Sequence, residues 1–154
     1  MRSFLLALPL TLVAATALAQ SPAPATPPPP DELPASEVTV PSDGEKSASG
    51  LVSKLIRKSN STEKAEATDV VTVHYTGWSS EGRLFDSSVV RGIASTFPLD
   101  KVMPGWRECV QLMTIGEKRR CWIPENIAYK GQAGRPKGTV VFDIELLDRR
   151  GNPL

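Results

Sequence analysis

The chain has 154 residues, 40% of them hydrophobic, and its 18 basic and 17 acidic side chains leave a formal net charge of +1. Arg2 is the only charged residue before Gln20, so the chain from Gln20 onward has a net charge of +1 − 1 = 0. A neutral chain with one short basic run, residues 118–120, lacks the electrostatic footprint that binds nucleic acid or an anionic membrane surface.

The first predicted element is an export signal. Met1-Arg2 is a short basic start, residues 4–19 are almost entirely apolar, and Ala17-Leu18-Ala19 has small residues where a signal peptidase reads the chain. The alternative is a transmembrane anchor, which needs about 20 apolar residues, and this stretch is shorter. We predict that residues 1–19 form a signal peptide cleaved before Gln20. The mature protein is then periplasmic or secreted, with no membrane attachment.

A proline-rich segment follows the signal. Residues 21–36 hold half of the chain's 14 prolines, including Pro27-Pro28-Pro29-Pro30. Such a segment has few side chains to bury and favours extended polyproline conformations. It can be a ligand for a proline-recognising domain or a spacer, and composition favours the spacer. We predict a disordered linker over residues 20–47, one folded domain over 48–150 and a short tail over 151–154.

Alternating hydrophobicity predicts three strands. The first covers residues 71–76 and is ended by Gly77, and Glu81-Gly82 then forms a hairpin turn before Leu84-Phe85. Another covers residues 118–123. The strongest strand signal lies near the C-terminus, where the residues on one face are Val140, Phe142, Ile144 and Leu146.

One helix is predicted, starting at Pro104-Gly105 and followed by Gly116. Its apolar residues share one face because they follow the spacing i, i+3, i+4, i+7: Trp106, Cys109, Val110 and Met113. Several strands with one short helix and no βαβ alternation indicate an antiparallel sheet with the helix against one face. The predicted fold class is therefore α+β.

The candidate functional residues are mostly aromatic and lie in short motifs: Tyr75, Phe85, Asp86, Trp106, Tyr129 and Phe142. These motifs contain no nucleophile–base pair and no set of metal ligands. The single histidine, His74, is interpreted as a packed strand residue, since a catalytic base or metal ligand would need partners that the chain lacks. Aromatic surface, one carboxylate and phenol donors suit a dry pocket that binds and twists a peptide better than one that cuts it.

These motifs, in order along the chain, resemble those of FKBP-type peptidyl-prolyl cis/trans isomerases of the exported bacterial type. They are Val73-His74-Tyr75-Thr76-Gly77, Phe85-Asp86-Ser87-Ser88, Val102-Met103-Pro104-Gly105-Trp106, Ala128-Tyr129 and Val141-Phe142-Asp143-Ile144-Glu145-Leu146-Leu147. Each motif is weak by itself, whereas their shared order is specific. The resemblance covers about residues 48–150. It implies a strongly bent antiparallel sheet wrapped around one short α-helix, with a shallow aromatic pocket between them.

The resemblance also implies what the apolar residues do. Trp106 on the helix would form the floor of the pocket. Tyr75, Phe85 and Phe142 would form its walls, and Val102 would line one side.

The polar groups have implied roles as well. The backbone N–H of Met103 would be offered to the substrate, and the Tyr129 hydroxyl would donate to a bound carbonyl. Asp86 is expected to be a buried polar residue beside them. It either polarises the pocket or braces its loop through hydrogen bonds.

The activity implied by the resemblance is rotation of X–Pro peptide bonds in other exported proteins during folding, with no cofactor and no metal. The expected partners are proline-containing polypeptides, with macrolide inhibitors as further ligands, and the protein is expected to be a monomer. The alternative is a non-catalytic peptide-binding or chaperone module on the same fold.

Three departures from the family pattern bear on substrate preference and macrolide affinity more than on the reaction. Ser95 stands where the family commonly has an aromatic residue, so one wall is thinner. The loop over residues 130–141 is short, and Lys130 stands where glycine is frequent. The thinner wall and the short loop are the features that keep the non-catalytic alternative open.

Cys109 and Cys121 are the two cysteines of the chain. Export places them in an oxidising compartment, where a bridge between the helix and the following strand can form. We predict this disulfide, with two buried free thiols as the alternative. The chain has no Cys-x-x-Cys motif, which argues against a redox enzyme.

Overall fold

The structure, a computed structural model, describes residues 31–151. Its strands are β1 (Glu45–Lys46), β2 (Val52–Arg57), β3 (Val70–Trp78), β4 (Leu84–Ser87), β5 (Ser95–Pro98), β6 (Lys118–Ile123) and β7 (Val140–Arg150). Its α-helices are α1 (Ala35–Val38), α2 (Ser88–Arg91) and α3 (Pro104–Gln111). Two 3₁₀ turns lie at Leu99–Lys101 and Glu125–Ile127. No helix within the described residues has the length and apolar character to cross a membrane.

The strands form one seven-stranded antiparallel sheet in the order β1-β2-β6-β7-β3-β4, and β5 also pairs with β3. The long strands β3 and β7 pair along their whole shared length, from Val70 opposite Arg150 to Trp78 opposite Val141. The α+β architecture and the three predicted strands are confirmed. Strands β1 and β2 were not predicted, because β1 has only two residues and β2 lacks a clear alternation.

Gly77 lies inside β3, where it pairs with Phe142, and does not end the strand as predicted. The reason is steric. A Cβ atom on Gly77 would lie 2.6 Å from Cε1 of Phe142 and 2.9 Å from Cζ of Phe85, far closer than carbon atoms pack. Gly77 is therefore the residue that lets two aromatic side chains of the predicted pocket lie against the strand.

Helix α3 packs across one face of the sheet through the predicted apolar residues. Trp106, Cys109 and Val110 are buried against strand residues of the main core, and Met113 is buried just beyond the end of the helix. Pro104 occupies the first turn, where its missing N–H costs no intrahelical hydrogen bond. The helix and its buried face are as predicted.

The other face of the sheet is covered by the segment that precedes β1. Leu33 packs there in a second core cluster with Trp78, Trp122 and Val141, and the Trp122 indole N–H donates to the carbonyl of Glu37 at 2.9 Å. Leu33 and Val38 thus pack on the sheet, and residues 31–47 include α1 and β1, unlike the disordered linker predicted over residues 20–47. The cause is that the outward positions of β3, β6 and β7 are themselves large and apolar and need cover. Residues 1–30, which include the predicted signal peptide, lie outside the described part of the chain.

This packing makes residue 33 part of the folded unit. We expect Leu33→Ala, whose side chain is 4% exposed, to lower the free energy of unfolding by about 2–4 kcal/mol, because it leaves a cavity over the second cluster. Val40→Ala is the matched control, since Val40 is 46% exposed and its truncation should change stability by less than about 0.5 kcal/mol. Denaturation by guanidinium chloride measures both. Equal, small effects would mean that the segment is a linker after all.

Candidate functional site

The candidate site lies between α3 and the sheet, and its floor is built from buried rings. Trp106 and Phe142 are 4% and 2% exposed, and their rings meet at 87° with centroids 6.4 Å apart. The ring of Tyr75 meets that of Trp106 at 89° and 5.9 Å. Edge-to-face packing of this kind is the arrangement that aromatic quadrupoles favour. The indole is therefore held firmly, and the predicted floor and one predicted wall lie together.

The outer wall consists of half-buried rings. Phe85, from β4, meets Phe142 at 5.6 Å and 87°, and it meets Tyr129 at 6.1 Å and 75°. Both Phe85 and Tyr129 are partly exposed while packing on the core. Because Trp106 and Phe142 are buried and Phe85 and Tyr129 are not, the cluster presents apolar surface to solvent on its outer side, where the resemblance implies the pocket.

Phe97 completes the ring of aromatic side chains and was not among the predicted site residues. Its centroid lies 5.6 Å from that of Trp106 and 5.9 Å from that of Tyr75. Ser95 lies two residues earlier on β5, so it points to the same side of the strand and offers only a hydroxymethyl group there. A sequence signal for Phe97 existed, since it is the one aromatic side chain of a short run that precedes the helix motif.

A polar network lies beside the aromatic rings. The Tyr75 hydroxyl donates to Oδ2 of Asp86 at 2.7 Å, and the Arg91 guanidinium forms an ion pair with Oδ1 of the same carboxylate. Arg91 also donates through Nη2 to the Tyr75 hydroxyl at 3.0 Å, and its guanidinium carbon lies 5.7 Å from the centre of the Tyr75 ring. The network connects β3, β4 and α2.

Asp86 is half-exposed, with 41% of its side chain accessible, and not buried as the resemblance implied. Both carboxylate oxygens already have partners, which supports the bracing role over the polarising one. Arg91 was missed because it reaches Asp86 only through the turn of α2. Ser87 caps that turn by accepting from the N–H of Val90 at 3.2 Å, and Gly92 ends it with a positive φ of 71°.

Two hydrogen-bond donors of residues that pack beside the rings have no protein partner among residues 31–151. They are the Tyr129 hydroxyl and the backbone N–H of Met103, the residue that precedes α3. The loop before Met103 is braced by Arg107, which donates to the carbonyls of Leu99 at 2.8 Å and Asp100 at 3.0 Å. Val102 and Met103 pack partly buried against the core. A bound carbonyl could therefore accept from either donor.

The turn after Tyr129 uses a left-handed residue. Lys130 has a φ of 53°, the region that glycine adopts without steric cost, which explains why glycine is frequent there in the family pattern. The backbone N–H of Lys130 donates to the Glu125 carbonyl at 3.0 Å. Farther along the loop, the Arg135 guanidinium lies 5.4 Å from the centre of the Tyr129 ring. The short loop thus folds back over the phenol.

Cys109 and Cys121 form a disulfide in the structure, with their Cα atoms 6.5 Å apart. The bridge joins α3 to β6 and is fully buried at both residues. Cys109 lies three residues after Trp106, so the bridge links the helix that carries the pocket floor to the sheet by a covalent bond.

The remaining chemistry of the described residues is sparse. They contain no group of three or more histidine, cysteine, aspartate or glutamate side chains placed to hold a metal ion. Nδ1 of His74 lies 3.1 Å from the Ser88 hydroxyl, which also accepts from the Tyr75 backbone N–H at 2.8 Å. His74 and Ser88 thus hold β3 to α2.

Comparison with known proteins identifies the family to which the chain is similar. Residues 61–147 match the family model described as FKBP-type peptidyl-prolyl cis-trans isomerase. The chain is 45% identical over 108 residues to the FKBP-type isomerase FkpA of Aeromonas hydrophila and 43% identical over 105 residues to the 22 kDa FKBP-type isomerase of Escherichia coli. These alignments cover 68% and 65% of this chain. The chain spans only 40% and 50% of those longer relatives.

A relative of more similar length and a solved structure agree. The chain is 45% identical over 100 residues to FK506-binding protein 2 of Yarrowia lipolytica, an alignment that covers 61% of this chain and 69% of the relative. The crystal structure of FkpA from Escherichia coli superimposes with a TM-score of 0.68 at 34% identity, over 77% of this chain and 57% of that one. Fold and sequence therefore point to the same family.

The tyrosines offer a direct test of the site, because the chain has only two and both lie in it. Burial raises the pKa of both phenols; the hydrogen bond to Asp86 adds to the rise at Tyr75, and the charge of Arg135 opposes it at Tyr129. Since the folded state favours the neutral phenols, their contribution to stability is complete below about pH 10 and is lost as the pH rises through the raised native values. Ultraviolet titration should give a higher midpoint for native than for denatured protein.

Tyr75→Phe serves as the control in this titration, because Tyr129 is then the only tyrosine that contributes to the signal. A native midpoint at or below the denatured one would show that the phenols are not buried as described.

The disulfide gives a second test. Reduction should lower the free energy of unfolding by about 2–4 kcal/mol, because the bridge restricts the unfolded chain. The double variant Cys109→Ala/Cys121→Ala is the control and should not respond to the reductant. Titration of denatured, unreduced protein that finds two free thiols would rule out the bridge.

Proposed function

Because the chain belongs to the FKBP-type peptidyl-prolyl cis-trans isomerase family, we propose that it accelerates rotation about X–Pro peptide bonds in exported polypeptides. One observation carries the proposal. The rings of Trp106, Phe142 and Tyr75 form an apolar floor. Beside it lie two residues whose donors, the Tyr129 hydroxyl and the Met103 N–H, have no partner in the described part of the chain. This is an inventory for binding and twisting an amide. The contact of Ser88 with His74 offers no nucleophile to a substrate, because the Ser88 side chain is fully buried.

The reaction needs little more than selective binding. Rotation about a peptide bond has a barrier of about 18–20 kcal/mol because resonance gives the C–N bond partial double-bond character. The two isomers of an X–Pro bond differ by only about 0.5–1 kcal/mol, yet they interconvert over tens of seconds or longer. Each tenfold acceleration requires about 1.4 kcal/mol of preference for the twisted amide over the planar one. No bond has to form or break.

The apolar rings supply part of that preference. The planar amide is more polar than the twisted one, so it loses more by leaving water for the surface of Trp106, Phe85 and Phe142. The same rings pack against the pyrrolidine ring of proline. Because Trp106 is buried and held edge-to-face on several sides, the surface is rigid before a substrate binds.

The polar groups hold the geometry. A donor from Tyr129 or Met103 can bind a carbonyl next to the rotating bond and so favour the twisted arrangement. Asp86 and Arg91 act as positioning residues, since they fix the Tyr75 hydroxyl and hence the wall beside Trp106. The positive charge of Arg91 also balances the negative charge of the Asp86 carboxylate, so this ion pair adds no net charge beside the pocket.

The clients and ligands follow from the same pocket. We infer that they are proline-containing segments of exported proteins, encountered after the chain itself has left the cytoplasm by way of the signal predicted in residues 1–19. The name of the Yarrowia relative records binding of the macrolide FK506, and the same aromatic pocket would accept a macrolide here. We propose a monomer that acts without a cofactor.

A second candidate function is a peptide-binding or chaperone module without useful turnover. The observations that favour it are the small side chain of Ser95 on the inner side of β5 and the short loop that Arg135 folds over Tyr129. Both reduce the surface available to a substrate. The two functions separate in a turnover assay, because a non-catalytic module would suppress aggregation of a client without accelerating isomerisation.

The deciding experiment measures the cis-to-trans rate of Xaa-Pro tetrapeptides with the chain from Gln20 onward, with and without tacrolimus. We expect acceleration that the macrolide abolishes. Acceleration that resists the macrolide would retain the enzyme and assign the difference to Ser95 and the short loop. Folded protein that accelerates none of several peptides with different residues before proline would make the binding module the better interpretation.

The role of the floor is tested in the same assay with a matched pair of tryptophans. Trp106 and Trp122 are both 4% exposed but lie on opposite faces of the sheet. Trp106→Leu should lower kcat/KM by at least about tenfold, which corresponds to about 1.4 kcal/mol of transition-state stabilisation. Trp122→Leu should lower stability and leave kcat/KM of the folded protein unchanged. Equal losses in both would mean that Trp106 acts only through the fold.

A further inference from the structure

The first described residues form an additional edge on the sheet. Leu33 donates its backbone N–H to the Gly82 carbonyl at 2.8 Å, and Leu84 donates its own to the Asp31 carbonyl at 2.9 Å. Between them, Glu32 and Arg83 form an antiparallel bridge. Residues 31–33 are thus paired, in a defined register, with the chain that enters β4.

This register has a direction. In an antiparallel pair, moving back from Asp31 toward the N-terminus corresponds to moving forward from Leu84 to Phe85 and Asp86. Phe85 is the outer wall of the aromatic pocket, and it comes immediately after the last paired residue. The described chain therefore begins one residue step from the pocket and is directed toward it.

The edge that lies ahead is available. Strand β4 is the last in the strand order of the sheet, and beyond Leu84 no strand among residues 31–151 pairs with its outer side. Its residues Leu84, Phe85 and Asp86 are all half-exposed. The backbone edge that continues from Asp31 is therefore not paired by any described strand.

The residues that immediately precede Asp31 are Pro27-Pro28-Pro29-Pro30. Proline is tolerated on an edge strand where its nitrogen faces away from the sheet, which holds for every second residue of an extended segment. A polyproline segment rises about 3.1 Å per residue, so four prolines cover about 12 Å. That length is roughly twice the distance between the centroids of neighbouring rings in the aromatic cluster. Such a segment loses little conformational entropy on binding, since it is already extended.

We propose that residues 27–30 are a ligand of the chain's own proline pocket and compete there with client polypeptides. This inference rests on the proposed function, because it requires a pocket that binds proline. Composition alone favoured a spacer for this segment, and the register of residues 31–33 is the added observation that directs it to Phe85. The segment and the pocket are thereby parts of one competitive switch.

The size of the effect follows from tethering. A short tether gives a local ligand concentration of about 1 mM, so a segment that binds with a Kd of about 0.1–1 mM would raise the apparent KM for a client by about 2- to 11-fold. The value of kcat would not change, because the segment must leave the pocket before a client binds there. Clients that bind more tightly than the segment would displace it.

The test compares the chain from Gln20 onward with two variants that retain its full length. Pro27→Ala/Pro28→Ala/Pro29→Ala/Pro30→Ala removes the proposed ligand. Pro22→Ala/Pro24→Ala is the matched control, since it removes prolines that lie farther from the paired residues. In the tetrapeptide assay we expect the first variant to lower KM by about 2- to 11-fold at unchanged kcat, and the control to behave like the parent chain. The ratio should not depend on protein concentration, because the ligand is on the same chain.

A measurement without turnover separates failure of this proposal from failure of the proposed function. The indole N–H resonance of Trp106, assigned by its loss in Trp106→Leu, should differ between the parent chain and the four-proline variant and be equal in the parent and the control. Equal KM values and equal Trp106 resonances in all three proteins would overturn the intramolecular ligand while isomerase activity stands. If none of the proteins isomerises the peptides, the proposed function fails, and the Trp106 resonance still decides whether the segment occupies the pocket.

Discussion

The perpendicular packing of the Trp106 indole against the rings of the sheet is the contact on which the rest of the structure depends. The rings of Phe97, Tyr75 and Phe142 each lie at 84–89° to the indole plane. The Tyr75 ring is also tilted against the rings of Phe97 and Phe142. These contacts fix α3 against β3, β5 and β7 at once. The disulfide from Cys109 then holds the same helix to β6. Fold stability and pocket geometry therefore use the same side chains.

That shared use explains how a site built mainly from packed rings can be selective. The proposed isomerase activity gains rate only from interactions that are better with the twisted amide, so the surface must not adapt equally well to the planar one. A rigid aromatic floor meets this requirement, since close-packed rings move little. Gly77 contributes because it has no side chain: a Cβ atom there would push Phe85 and Phe142 out of position. The polar residues Asp86 and Arg91 serve the same end by fixing Tyr75.

The sheet is covered on both faces, by α3 on one and by the segment around Leu33 on the other. Leu33 is buried over Trp78 and Trp122, and its backbone pairs with the turn before β4. The apolar packing of Leu33 on one face thereby fixes the register of residues 31–33 beside the chain that leads to Phe85, whose ring belongs to the aromatic cluster on the other face. The proposed intramolecular ligand depends on this link between the two faces.

The alternation in β3 and β7 and the helical spacing from Trp106 to Met113 are local patterns, and by themselves they predicted the α+β fold, the helix and its buried face. The order of the aromatic motifs also singled out Tyr75, Trp106 and Phe142, and the structure brings these rings together. The sequence could not predict that Gly77 continues a strand, that Phe97 joins the rings, that Arg91 turns back to Asp86, or that Leu33 and Val38 pack on the sheet. Each of these depends on contacts between residues distant in the chain. The sheet must first form and pack on α3. Only then do its outward apolar residues need cover, and only then do Phe85 and Phe142 come so close to residue 77 that no side chain fits there.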